Sequence, residues 1–370
     1  MGKILITLVV GARPNFMKIA PIIRALDTHN KYFSYRLVHT GQHQDNNMSD
    51  VFFTELGIPS PNLFLNSNAN TPLKQIAKIM IDFEDECLAY PPSIVLVVGD
   101  VNSTLACSIV AKKLNIKLVH VEAGLRSNDR EMPEEINRVS TDAISDLFFV
   151  TEPSGILNLL NEGHSNEKVH YVGNVMIDNL LYQKEKLDSM AWPDFPSCKL
   201  KNELNNYAVV TLHRPSNVDS IDIFSGIAES LNEIANSLPI IFPVHPRTRK
   251  NIKKFKIMFN ENIFLIDPLS YLEFLNLWKD SQVVLTDSGG LQEETSALGI
   301  RCITIRNNTE RPITVEKGTN VLAGVDSKNI LDAFSKININ ENPKTNQIEL
   351  WDGLSAKRII AILTKEFNLV

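Results

Sequence analysis

Cysteine is scarce in this chain and never paired. Its four residues, Cys87, Cys107, Cys198 and Cys302, lie far apart with no CxxC spacing. That excludes a disulfide framework and a thiolate zinc site, and it reads as reduced thiols. No apolar stretch approaches the length of a membrane span. The opening "MGKILITLVV" is short enough for a buried strand, no small-residue cleavage site follows it, and Ile6 stands where a myristoylation signal wants Ser or Thr. Positive charge is in deficit: 37 Lys and Arg against 43 Asp and Glu leave a net charge of −6, which argues against a nucleic-acid partner. No GxGxxG follows a strand and no GxxxxGK[ST] occurs, so neither a tightly held dinucleotide nor P-loop chemistry is indicated. Internal repeats and low-complexity tracts are absent as well. The expectation is a cytoplasmic protein with no thiolate metal site and no membrane or nucleic-acid partner.

The 370 residues exceed one ordinary core and fit two domains. In the first half, "KILITLVV", "YRLVHT", "SIVLVVGD", "KLVHVEAG", "DLFFVT" and "KVHYVG" are short β-branched runs separated by stretches of helical spacing. A second series follows: "YAVVTLH", "PIIFPVH", "NIFLID", "QVVLTDSGG", "RCITIR" and "TNVLAG". Continuous apolar runs alternating with helices read as strands of parallel sheets joined by right-handed crossovers. The fold class is therefore α/β, two doubly wound halves facing a cleft. Residues 184–206 are polar, carry Pro193 and Pro196, and read as a surface excursion or linker. Residues 354–367 place Ile359, Ile360, Leu363 and Phe367 on one face of a closing helix.

Ligands of open α/β sheets sit beyond the carboxyl ends of the strands. Those ends carry Gly11-Ala12-Arg13-Pro14-Asn15 with Lys18 one turn on, Gly99-Asp100, and Glu122-Ala123-Gly124-Leu125-Arg126. In the second half they carry His213-Arg214, His245-Pro246-Arg247 and Asp287-Ser288-Gly289-Gly290. In "DSGGLQEE" the free N–H groups of a helix start, with glycines that permit close approach, suit a diphosphate. Glu294, one turn on, can accept from ribose hydroxyls. The same residues also make an ordinary Ser/Gly helix cap. Arg126, Arg130 and Glu135 read as salt-bridge residues, and His39, His43 and His120 as structural histidines. Arg311 either contacts phosphate or braces Glu310.

"GARPNFMK", Gly99-Asp100, "HVEAGLRS", "MPEEINR", "DSGGLQEE" and "NNTERP" together resemble the UDP-N-acetylglucosamine 2-epimerases over essentially the whole chain. The resemblance implies two Rossmann-like domains of the GT-B type: residues 1–175 with the acid/base carboxylates, 176–353 binding UDP, and a helix at 354–370 returning to the first. It implies a cofactor-free, non-hydrolysing homodimer acting on a UDP-2-acetamido sugar. It carries Asp100, Glu122 and Glu134 over as the acid/base set and His213 as the residue stabilising or activating the diphosphate. Arg13 and Lys18 fall near phosphate or sugar, Arg138 orients carboxylates, Ser288, Gly289 and Gly290 hold phosphate, and Glu294 the ribose. After His213-Arg214 this chain has Pro215-Ser216-Asn217 where better-studied relatives carry Arg-Glu. The segment "TGQHQDNNMSD" matches an activating region only partly. A related substrate, a 2,3-diacetamido uronic acid or a 6-deoxy sugar on UDP, is thus an alternative. Another is a GT-B glycosyltransferase, for which the first-half carboxylates have no evident task.

Overall fold

The computed structural model describes residues 2–42, 50–190, 195–337 and 348–369. His43 and most of "TGQHQDNNMSD", together with Pro193, lie outside the described residues. The chain divides into two compact units, Met1–Leu181 with Glu349–Val370, and Tyr182–Ile348.

The first unit holds seven parallel strands: β1 (Ile4–Val10), β2 (Phe33–His39), β3 (Leu63–Phe64), β4 (Ile94–Val98), β5 (Lys117–Val121), β6 (Leu147–Val150) and β7 (Val169–Tyr171). Their order across the sheet is β3-β2-β1-β4-β5-β6-β7. The central strands are buried on both faces: β4 reads Ile-Val-Leu-Val-Val without a polar residue and is fully covered. That is the pattern parallel sheets impose when helices lie on both sides. Val9, Val95, Val97 and Leu118 pack there with Ile79, Phe83, Cys107 and Val110 from two covering helices.

The second unit repeats the plan with β8 (Ala208–Thr211), β9 (Ile240–Pro243), β10 (Ile263–Ile266), β11 (Val283–Thr286), β12 (Cys302–Thr304) and β13 (Asn320–Leu322), ordered β10-β9-β8-β11-β12-β13. Val210, Phe242, Leu285 and Ile303 form its core with Phe224, Ile227 and Leu231 of the helix Ile221–Ala235. In both units the first strand lies between the second and the fourth, the doubly wound arrangement. Every strand read from the sequence is present, and β3, two residues long, is an addition too short to show a pattern.

Residues 184–206 carry more regular structure than their polar, proline-bearing sequence suggests. Read as a surface excursion or linker, they are helical over much of their described part: the helix Val175–Asp188 runs into them and a second helix, Pro196–Leu204, follows. Pro196 sits in the first turn, where its missing N–H is harmless. The closing helix spans Ser355–Glu366, with Ile359, Ile360 and Leu363 fully buried. Its start is held by Asp178, whose two carboxylate oxygens accept from the Ser355 N–H at 3.1 Å and the Ala356 N–H at 2.7 Å. It packs on the helix Arg13–Asp27.

Candidate functional site

In the first unit the strand order reverses between β1 and β4, so the loops leaving these strands splay apart and open a crevice. Three backbone devices shape it. The Asn15 carboxamide accepts from the Gly11 and Ala12 N–H groups at 3.1 and 2.9 Å and donates to the Val98 carbonyl at 3.2 Å, tying the two strand ends together. Gly11 leaves no room for a side chain, since a Cβ there would lie 2.1 Å from Ser103 Oγ. Gly99 turns the chain after β4 with φ of +65°.

Four of the sequence-predicted residues meet around this crevice. Lys18 and Glu122, both buried, form an ion pair. Glu122 holds φ of +71°, a left-handed conformation that side chains rarely adopt and that the surrounding fold must enforce. Its N–H donates to the Phe149 carbonyl at 3.0 Å. Asp100, partly exposed, accepts from Arg138 Nε at 2.9 Å. Arg138 is itself buried and also grips Glu135, so it is braced from behind while it holds Asp100. Glu135 additionally accepts from the Ser127 and Asn128 N–H groups at 2.9 Å each, which pins the loop between the two acids. The Glu134 side chain, half-buried in the first turn of the helix Pro133–Ile144, makes no hydrogen bond or ion pair with a described residue. A carboxylate at a helix start is favoured by the positive dipole end. Arg13 begins the helix Arg13–Asp27 and is half-buried.

The second unit's reversal lies between β8 and β11. His213 follows β8 and is half-exposed; Asp287, fully buried, follows β11. Asp287 faces His213 Nδ1 at 2.7 Å and accepts from the His213 and Arg214 N–H groups, each at 2.9 Å. Burial pushes the Asp287 carboxyl up, but the His213 contact and the two amides outweigh it and hold it below the ordinary carboxylate range. The helix Gly289–Leu298 starts at Ser288, which caps it through the Leu291 N–H. A Cβ on Gly289 would lie 2.6 Å from Arg311 Nη1. Arg311 pairs with Glu310 and, at 3.0 Å, with Glu293, while Arg306 pairs with Glu310 at 2.8 Å. Burial, with Arg306 close by, lowers the pKa of Arg214. A helix start flanked by three guanidinium groups suits an anion. Glu294 is buried and accepts from the Tyr271 hydroxyl at 2.6 Å; burial, with Glu293 adding, raises its pKa to about 7.

Arg311 therefore braces Glu310, one of the two readings left open by the sequence. Arg126 pairs with Glu162 and Asp142, at 2.6 and 2.7 Å, as a salt-bridge residue should. His120 has both ring nitrogens bonded, and His39 stacks on Phe16 with centroids 5.4 Å apart. Sequence reasoning missed three contributors. Asp287 was visible as a strand-end acid, but its hold on His213 was not. Asn15 was likewise visible at a strand end without its hold on the Gly11 turn, and Tyr271 gave no signal beyond lying near a helix start. Among the described residues no group of three or more His, Cys, Asp or Glu is arranged to hold a metal, and no helix is long and apolar enough to cross a membrane.

Two doubly wound units, each with ionisable side chains crowding its strand-order reversal and one with an anion-receptive helix start, define a two-domain α/β protein of the Rossmann type. The chain belongs to the UDP-N-acetylglucosamine 2-epimerase family, whose model matches residues 24–364. It is 42% identical over 370 residues to a UDP-N-acetylglucosamine 2-epimerase of Methanococcus maripaludis, covering 98% of each chain. It is 37% identical over 360 residues to the UDP-2,3-diacetamido-2,3-dideoxy-D-glucuronate 2-epimerase of Pseudomonas aeruginosa, covering 96% of this chain and 98% of that one. Among solved structures it resembles the Methanocaldococcus jannaschii UDP-GlcNAc 2-epimerase in complex with UDP-GlcNAc and UDP. That likeness has a TM-score of 0.89 and 40% identity, over 98% of this chain and 100% of the other.

Proposed function

We propose that the protein is a non-hydrolysing 2-epimerase that interconverts UDP-N-acetylglucosamine and UDP-N-acetylmannosamine. The observation that carries this reading is the pair of acids at the first unit's crevice, Asp100 on Arg138 and Glu122 on Lys18, with Glu134 on the same helix as Arg138. The C2 proton of the sugar is not adjacent to a carbonyl, so its direct removal is prohibitively slow. Elimination resolves this. The C1–O bond breaks with its electron pair leaving on UDP, a carboxylate takes the C2 proton, and a C1=C2 double bond forms. UDP then adds back to C1 while an acid protonates C2 from the opposite face.

The reading assigns proton transfer to Asp100, Glu122 and Glu134, with Arg138 orienting Asp100 and Arg13 and Lys18 near sugar or phosphate. Positioned acid/base groups contribute typically about 10²–10⁴-fold each. It assigns the departing diphosphate to Ser288, Gly289 and Gly290 with His213, and the ribose to Glu294. Preorganised N–H groups and cations aimed at the developing charge stabilise such a leaving group. In D₂O, incubation with UDP-N-acetylglucosamine should yield both C2 epimers, still joined to UDP and carrying deuterium at C2. Stoichiometric release of free UDP and N-acetylmannosamine would show a hydrolysing enzyme instead.

A second reading, epimerisation of a UDP-linked 2,3-diacetamido uronic acid, is favoured by the likeness to the Pseudomonas aeruginosa protein. Offering both sugars separately in the same experiment decides between them. A cytoplasmic setting agrees with the four free thiols. A homodimer is supported by the helix Pro72–Ala89, which exposes Leu73, Ile81 and Leu88 along one side. Light scattering on the purified protein tests it.

A further inference from the structure

One buried side chain joins the loops that carry Asp100 and Glu122. His120 lies on β5 and is wholly enclosed. Its Nε2 is 2.9 Å from the Gly99 carbonyl oxygen, and its Nδ1 is 2.6 Å from Asp142 Oδ1. A carbonyl only accepts, so Nε2 carries a hydrogen. Asp142 already accepts the Gly124 N–H at 3.0 Å and faces Arg126 at 2.7 Å on its other oxygen. Burial pushes its carboxyl up, but His120 and Arg126 prevail and hold it below the ordinary carboxylate range.

The consequence is mechanical. Gly99 immediately precedes Asp100, and its own N–H is already spent on the Val121 carbonyl at 3.1 Å. The bond from His120 therefore sets the remaining freedom, the plane of the Gly99–Asp100 peptide, and with it the direction in which the Asp100 side chain leaves the chain. Through Asp142 the same ring holds the Gly124 amide, two residues beyond Glu122. In these loops Gly99, Glu122 and Gly124 have positive φ, at +65°, +71° and +79°. A left-handed glutamate relaxes unless its flanks are held. The clamp supplies that hold on both loops at once.

We propose that His120 is a positioning residue for proton transfer at C2, locking Asp100 and Glu122 into one rigid acid pair through Gly99 on one side and Asp142 on the other. The proposal rests on the functional reading given above. Two substitutions separate the two bonds. In His120→Gln the amide can take the place of Nε2 and still donate to Gly99. In His120→Asn the shorter amide can take the place of Nδ1 and meet Asp142, leaving Gly99 unheld.

His120→Asn should lower kcat for epimerisation by about 10²-fold, the loss a misplacement of roughly 1 Å brings, while KM and UDP affinity change by less than about twofold. His120→Gln should recover kcat to within about tenfold of wild type. Wild-type kcat in both variants would overturn the proposal. So would a rise in KM with kcat unchanged, which marks a binding role. Failure of both variants to fold, seen by circular dichroism, would also overturn it and leave His120 a stability residue. Wild-type protein that exchanges no C2 hydrogen with either UDP-sugar would instead sink the functional reading, a result distinct from an active wild type with indifferent variants.

Discussion

Glu294→Gln should stabilise the unliganded protein, and only above a definite pH. The carboxyl is buried and accepts from the Tyr271 hydroxyl, and its pKa rises from an ordinary 4.5 to about 7. An acid whose folded pKa lies above its unfolded value binds its proton more tightly when folded. The folded state therefore loses nothing below about pH 4.5, loses stability progressively as pH rises from 4.5 to 7, and carries the full cost above 7. A shift from 4.5 to about 7 corresponds to roughly 3 kcal/mol. Glutamine keeps the size and can still accept from Tyr271, but it never ionises. For a unit of this size each kcal/mol moves Tm by about 2–4 °C. The variant should thus melt about 6–12 °C above wild type at pH 8 and level with it near pH 4.5. Calorimetry across that range measures the difference directly. A difference that stays constant with pH would refute the reasoning, because a neutral packing effect does not titrate. The same substitution should weaken UDP binding, by about tenfold near pH 8, if the ionised carboxylate accepts from ribose hydroxyls. Stability given up at a binding group is a common trade.

Two further outcomes follow from the first unit. Asp100→Asn and Glu134→Gln should each lower epimerisation by about 10²-fold or more while UDP affinity by calorimetric titration stays near wild type, since the proposed diphosphate contacts lie elsewhere. Asp178→Ala removes both acceptors at the start of the helix Ser355–Glu366 and should cost about 1–2 kcal/mol in denaturant unfolding with kcat retained.

Much of this molecule was legible in its sequence because the signals are local. Twelve of the strands announce themselves as short β-branched runs, since a strand covered on both faces tolerates little else. The helix start at Ser288-Gly289-Gly290 shows itself through a capping hydroxyl and two glycines, and the acids and cations at the strand ends are visible by position alone. The helix within residues 184–206 was not legible, because polar, proline-bearing sequence lacks a clear period, although Pro196 merely opens a helix.

The tertiary structure decided which of those ends meet. Nothing in the chain states that β1 lies between β2 and β4, or β8 between β9 and β11, yet that order places the Gly11 turn beside Gly99 and His213 beside Asp287. Lys18 reaches Glu122 from the helix that follows a different strand, Asp142 reaches His120 from a covering helix, and Tyr271 reaches Glu294 from another. Such pairings depend on sheet order and on the direction each side chain leaves its backbone. Those are properties of the whole packed core, and short-range pattern carries no record of them.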